Sequence, residues 1–151
     1  LAHARPMVGD LAMATRRIPN PHAVRKKNGR VFTIKTATNL TFAQRSFRVK
    51  PGELIEFTLE NPDVVPHNWA LLAPGTLREV GDLTNKLISD PDAMVRQYIP
   101  QTKAVLAYTD IVLPRQSFTI YFTAPTQSGN YPYLCTFPGH WLVMNGEMIV
   151  R

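Results

Sequence analysis

The sequence predicts an all-β fold, a two-sheet Greek-key β-sandwich with a short helical insertion around 75–100. Three observations lead there. About seven or eight short segments alternate apolar with polar side chains, or run apolar between turn signals, the signature of strands. Thirteen prolines and eight glycines supply the frequent turns an all-β domain needs. Helical spacing is confined to one stretch of under about thirty residues, too short to bury a core of its own.

Taken in order, residues 1–30 show no sustained period. Pro6, Pro19, Pro21 and Gly29 interrupt them, and Arg25, Lys26 and Lys27 form a small basic cluster. They read as a basic N-terminal arm or linker preceding a domain over 31–151. The chain opens on Leu1, as expected of a processed or excised form, and residues 1–14 lack the continuous apolar segment of a signal peptide. Arg30–Thr36 alternates as a strand, and Asn39–Phe42 and Ser46–Val49 are further short candidates. Lys50, Pro51, Gly52 and Glu53 form a turn with Pro and Gly at its centre, favouring type II. In Leu54–Glu60, Ile55, Phe57 and Leu59 share one face, as in a half-buried antiparallel strand. Trp69–Leu72 is a short apolar strand. Leu77, Val80, Leu83 and Leu87 recur at three- and four-residue spacing and predict an amphipathic helix. Asp90 followed by Pro91 predicts a second short helix to about Tyr98, ended by Pro100. Ala104–Tyr108, Asp110–Val112, Ser117–Thr123, Asn130–Leu134 and Gly146–Val150 complete the strands.

The composition narrows the function. The single cysteine excludes an internal disulfide, a Cys₄ zinc ribbon and a redox C-x-x-C pair. Residues 1–30 carry seven basic side chains and one acidic; residues 31–151 carry ten of each. The net charge of +6 therefore belongs to the arm, and the balanced body argues against nucleic acid as a partner. No apolar run approaches the roughly 18 residues of a transmembrane segment.

Chemistry concentrates between Tyr131 and Gly146. Cys135 is followed five residues on by His140, and four later by Met144. Thiolate and thioether are soft ligands and imidazole suits copper, so one more histidine would complete a His₂Cys site with a weak axial Met. His67, just before the Trp69–Leu72 strand, is the candidate. Taken alone it reads as a hydrogen-bonded histidine at a strand end; together with the other three it reads as a ligand. His3 and His22 lie in the arm. Met7, Met13, Met94 and Met148 lack the loop spacing of Met144.

Pro66-His67-Asn68-Trp69, together with Cys135-Thr136-Phe137-Pro138-Gly139-His140 and Met144, resembles the cupredoxins, in the azurin and auracyanin branch. The turn at Lys50–Glu53 and Tyr131-Pro132-Tyr133 before the cysteine are also similar to that family. The resemblance covers roughly 31–151. It implies one type 1 copper ion cycling between Cu(I) and Cu(II), bound by His67, Cys135, His140 and Met144. It implies that Asn68, Thr136 and Phe137 surround the ligands, with Asn68 bracing the loop and the amides of Asn68 and Phe137 donating to the sulfur. Pro66 stands where azurins have glycine, so its carbonyl is only a candidate for weak axial contact. Pro138, Gly139, Trp141 and Leu142 would form a docking patch through which His140 passes electrons, Trp141 either as an anchor or as a shield over the metal. The implied partners are redox proteins such as a c-type cytochrome or a fused haem domain. The implied location is periplasmic or extracytoplasmic. No catalytic base or further copper motif is evident, so the chain reads as an electron carrier and not an enzyme. A copper storage or delivery module, and a metal-free structural relative, are the alternatives.

Overall fold

The computed structural model describes residues 18–151. His3, Met7, Met13 and most of the basic arm lie outside them. Nine strands are assigned: β1 (Arg30–Ala37), β2 (Thr41–Phe42), β3 (Ser46–Val49), β4 (Leu54–Asn61), β5 (Ala70–Leu72), β6 (Val105–Tyr108), β7 (Gln116–Thr123), β8 (Gly129–Leu134) and β9 (Asn145–Val150). One sheet has the order β2-β1-β4-β7 and the other β3-β9-β8-β5-β6. Both are mixed: β1 runs parallel to β4 and β3 parallel to β9, and the other pairs are antiparallel.

The alternation expected of β4 is present. Ile55, Phe57, Leu59 and Asn61 are buried, and the residues between them are half-buried. These side chains face an aromatic core in which the Trp69 ring stacks on Phe57 at 3.9 Å between centroids, with Tyr133 5.4 Å away. Pro132 lies inside β8, where a missing N–H would break a central ladder. It is tolerated because β5 reaches only Tyr133 and Leu134 on that side. The turn before β4 has Gly52 at φ 71°, as a type II turn requires, closed by Glu53 N–H donating to Lys50 O at 3.2 Å.

The insertion contains one α-helix, α1 (Leu77–Lys86), with Val80 fully buried. The second helix expected from Asp90 to Tyr98 does not form. Asp90 does cap the turn, its carboxylate accepting from Asp92 N–H and pairing with Arg96. However, Gln97 and Tyr98 both take left-handed backbone, φ 58° and 59°, and Tyr98 N–H closes back on Ala93 O at 2.8 Å. A helix cannot continue through that conformation.

The last part of the arm is docked. The Asn20 amide donates to Tyr108 O and to Asp110 Oδ1, and the His22 ring meets Tyr108 edge-on at 4.8 Å.

Candidate metal centre

Three of the four expected donors come from the loop between β8 and β9. Cys135 N–H donates to Met144 O (3.1 Å), so the loop closes across its own ends. Inside it, His140 N–H donates to Phe137 O (3.0 Å) and His140 O accepts from Met144 N–H (2.9 Å). Gly139, at φ 85°, makes the turn that brings His140 back toward Cys135. The fourth donor, His67, is fixed from outside. It forms a two-bond bridge with Val112, N–H to O at 3.1 Å and O from N–H at 2.7 Å.

Cys135 Sγ lies 3.9 Å from His67 Nδ1 and 3.6 Å from His140 Nδ1, and the three donor atoms lie within 4.8 Å of one another. Bonds of about 2.0 Å to nitrogen and 2.3 Å to sulfur, opening at roughly 120°, separate such donors by about 3.7 Å. The two observed spacings bracket that value, so these residues fit one small metal ion. Met144 is fully buried in the same core cluster as Cys135. His67 and Cys135 are also buried, whereas His140 is half-exposed. A metal held here would therefore reach the surface along one ligand only.

The electrostatics suit a soft cation. Burial lowers the pKa of both His67 and His140, leaving neutral imidazoles with lone pairs to donate. Burial pushes the Cys135 thiol up to about 12, opposed by the backbone N–H groups of Asn68 and Phe137 directed at the sulfur. A coordinated thiol is deprotonated outright, so the metal overrides that penalty. Asn68 ties the two ligand-bearing segments together. Its Oδ1 accepts from Thr136 N–H (2.8 Å), and its Nδ2 donates to Thr136 Oγ1 (2.6 Å) and Gln97 O (3.0 Å).

Pro66 is half-buried immediately before the His67 bridge. Around His140, Pro138 is half-buried, Gly139 is exposed, and Leu142 and Val143 are 70% and 47% exposed. Trp141 differs from the docking-anchor expectation. It is 7% exposed, packed on Gly81 of α1, with its indole N–H donating to Asn85 Oδ1 at 3.2 Å. The helix takes up most of the ring's surface, so the tryptophan acts as packing rather than as an exposed anchor.

Two contributors were not anticipated. Asp63, four residues before His67, accepts from its Nε2–H at 2.9 Å, and that bond holds the carboxyl below the usual carboxylate range. The only signal in the sequence was the spacing. Tyr98 packs against Phe137 at 4.9 Å with the rings tilted, and Phe137 stacks in turn on His140 at 5.8 Å. Nothing in the sequence pointed to that contact.

A family model described as copper binding proteins of the plastocyanin/azurin family matches residues 30–151. Auracyanin-A of Chloroflexus aurantiacus is 30% identical over 114 residues, 74% of this chain and 68% of that one. Auracyanin-B of the same organism is 32% identical over 114 residues, 74% of this chain but 47% of its own length, so the chain spans about half of that relative. The solved structure of auracyanin A, described as a "blue" copper protein, matches with a TM-score of 0.72 at 28% identity, over 82% of this chain and 99% of that chain.

Proposed function

This chain belongs to the plastocyanin/azurin family of copper-binding proteins, and on that premise we propose that it is a mononuclear type 1 copper electron carrier, not an enzyme. His67, Cys135, His140 and Met144 hold the ion, which supplies a one-electron Cu(II)/Cu(I) couple. The observation that carries this reading is the donor set itself. Two neutral imidazoles and one thiol converge within 4.8 Å, in a pocket closed to water except along His140. The chain's own part is to keep those donors in place in both oxidation states. The Val112 bridge fixes His67, the loop hydrogen bonds fix His140, and Asn68 locks the two segments together. Little then has to move when an electron passes, which favours rapid transfer.

Electrons enter and leave over the His140 edge, through Pro138, Gly139, Leu142 and Val143. An apolar rim around one half-exposed ligand suits the small, short-lived interfaces of redox encounters, typically below about 1,200 Å². The partner is a redox protein such as a c-type cytochrome or a fused haem domain, and the setting is periplasmic or extracytoplasmic. Likeness to auracyanins and azurins supports an extracytoplasmic setting, and the redox role of the copper family supports a redox protein as the partner class. Adding Cu(II) to the full chain tests the reading. An intense blue colour that Cys135→Ser abolishes is expected. A folded, copper-loaded protein without a blue species would overturn it and favour storage or delivery.

A further inference from the structure

We propose that Asp63 is a positioning residue for the copper site, whose buried carboxylate fixes the tautomer of His67 and places a negative charge behind that ligand, holding the reduction potential down. The inference rests on the assignment of His67 as a ligand.

The geometry assigns the proton. Asp63 Oδ2 lies 2.9 Å from His67 Nε2, and a carboxylate only accepts, so Nε2 carries the hydrogen. Nδ1 is then the lone-pair nitrogen, and it is Nδ1 that faces Cys135 Sγ. Without a partner at Nε2 the imidazole would divide between tautomers, and only one of them can bind a metal through Nδ1.

Asp63 is itself clamped. Its Oδ1 accepts from Val64 N–H at 2.7 Å, and its own N–H donates to Asn61 Oδ1 at 3.0 Å. Asn61, 1% exposed, donates from Nδ2 to Val65 O at 2.8 Å and to Val112 O at 2.9 Å, and accepts from the Thr36 hydroxyl at 2.7 Å. Val112 also bridges the backbone of His67. One buried network thus holds the histidine by its main chain and by the far nitrogen of its ring.

Asp63 is 8% exposed and His67 0%, so their interaction is weakly screened by solvent. A hydrogen bond to a carboxylate raises the basicity of a metal-bound imidazole. A more basic ligand, with a negative charge behind it, stabilises the more highly charged Cu(II) over Cu(I). A purely structural Asp63 would need the bond but not the charge.

Three variants of the full chain separate these roles. Nitrogen NMR of the copper-free wild type should show His67 as the Nε2–H tautomer; finding Nδ1–H overturns the proposal whatever the copper chemistry. Asp63→Asn keeps an acceptor oxygen and removes the charge, and should stay blue with a raised midpoint potential. Asp63→Glu restores the charge and should return the potential toward wild type, which also guards against poor folding of the asparagine variant. Asp63→Ala should weaken Cu(II) binding by roughly 10- to 100-fold and leave His67 with mixed tautomers. An unchanged potential in Asp63→Asn, or a rise in Asp63→Glu as large as in Asp63→Asn, sinks the idea. If the wild type never turns blue, the copper reading itself has failed, and the tautomer measurement still judges the role of Asp63.

Discussion

Gly81→Ala is a sharp perturbation because two effects of opposite sign meet at one residue. Gly81 lies in the interior of α1, where alanine is favoured over glycine by about 1 kcal/mol. On helix propensity alone the variant would be more stable. The structure says otherwise. A Cβ at this position would sit 2.4 Å from Trp141 Cδ2 and Cε2 and 2.6 Å from Cε3. Carbon atoms rest about 3.5–4.0 Å apart, so the indole must retreat by more than about 1 Å. The ring is poorly placed to do so, since its N–H is held by Asn85 and the Trp141 carbonyl by Asn145. Overpacking of this kind costs about 1–3 kcal/mol. Taking the upper end against a rigid aromatic and subtracting the propensity gain leaves a net loss of roughly 2 kcal/mol. For a domain this size that lowers Tm by about 4–8 °C. Thermal unfolding of the metal-free protein measures it. Because Trp141 adjoins His140, the visible spectrum of the copper form should shift as well. A Gly81→Ala protein with Tm at or above wild type and an unchanged spectrum would refute the packing argument.

Asn68→Ala removes three hydrogen bonds and strands the buried Thr136 N–H, which should cost about 2–4 kcal/mol in urea unfolding. The Cys135 thiol predicts a pH effect. Burial raises its folded pKa from 9.0 to about 12, so its contribution to metal-free stability is complete below pH 9 and is lost as pH rises toward 12. The Cys135 share of the slope is about 1.4 kcal/mol per pH unit above 9, read by denaturant titration as the difference between wild type and Cys135→Ala, because Tyr133 and Tyr108, whose pKa values burial also raises, add their own slope above about 10. At the surface, Leu142→Asp should slow electron exchange with a c-type cytochrome by about 5- to 30-fold, as loss of a central contact of about 1–2 kcal/mol implies. Residues 31–151 carry balanced charge, so exchange in a chain lacking residues 1–30 should vary little with ionic strength. A steep fall with salt would contradict apolar docking.

The sandwich was legible where local pattern and tertiary role agree. The alternation of Ile55, Phe57 and Leu59 becomes the core face of β4, and the spacing of Cys135, His140 and Met144 becomes a closed loop. The departures have a shared cause in long-range contacts. Asp90 and Pro91 carry a real helix-start signal, and the Asp90 carboxylate does cap the turn. The chain then leaves helical backbone at Gln97, whose carbonyl meets Asn68, and at Tyr98, whose ring meets Phe137. Trp141, Leu142 and Val143 are three consecutive apolar residues in one loop. The gap left by Gly81 gives the tryptophan room to turn inward while its neighbours face outward. Asp63 lies on a loop after Pro62, where no period sets side-chain direction, so its contact with His67 emerges from the Asn61 network alone.

A spectroelectrochemical titration of the copper-loaded full chain tests the central claim most directly. The blue absorption should bleach on reduction and return on oxidation, reversibly, with one electron and one copper ion per chain, and Cys135→Ser should show no such wave. Irreversible bleaching with loss of copper, or a stoichiometry other than one electron per chain, would contradict the assignment of this protein as an electron carrier.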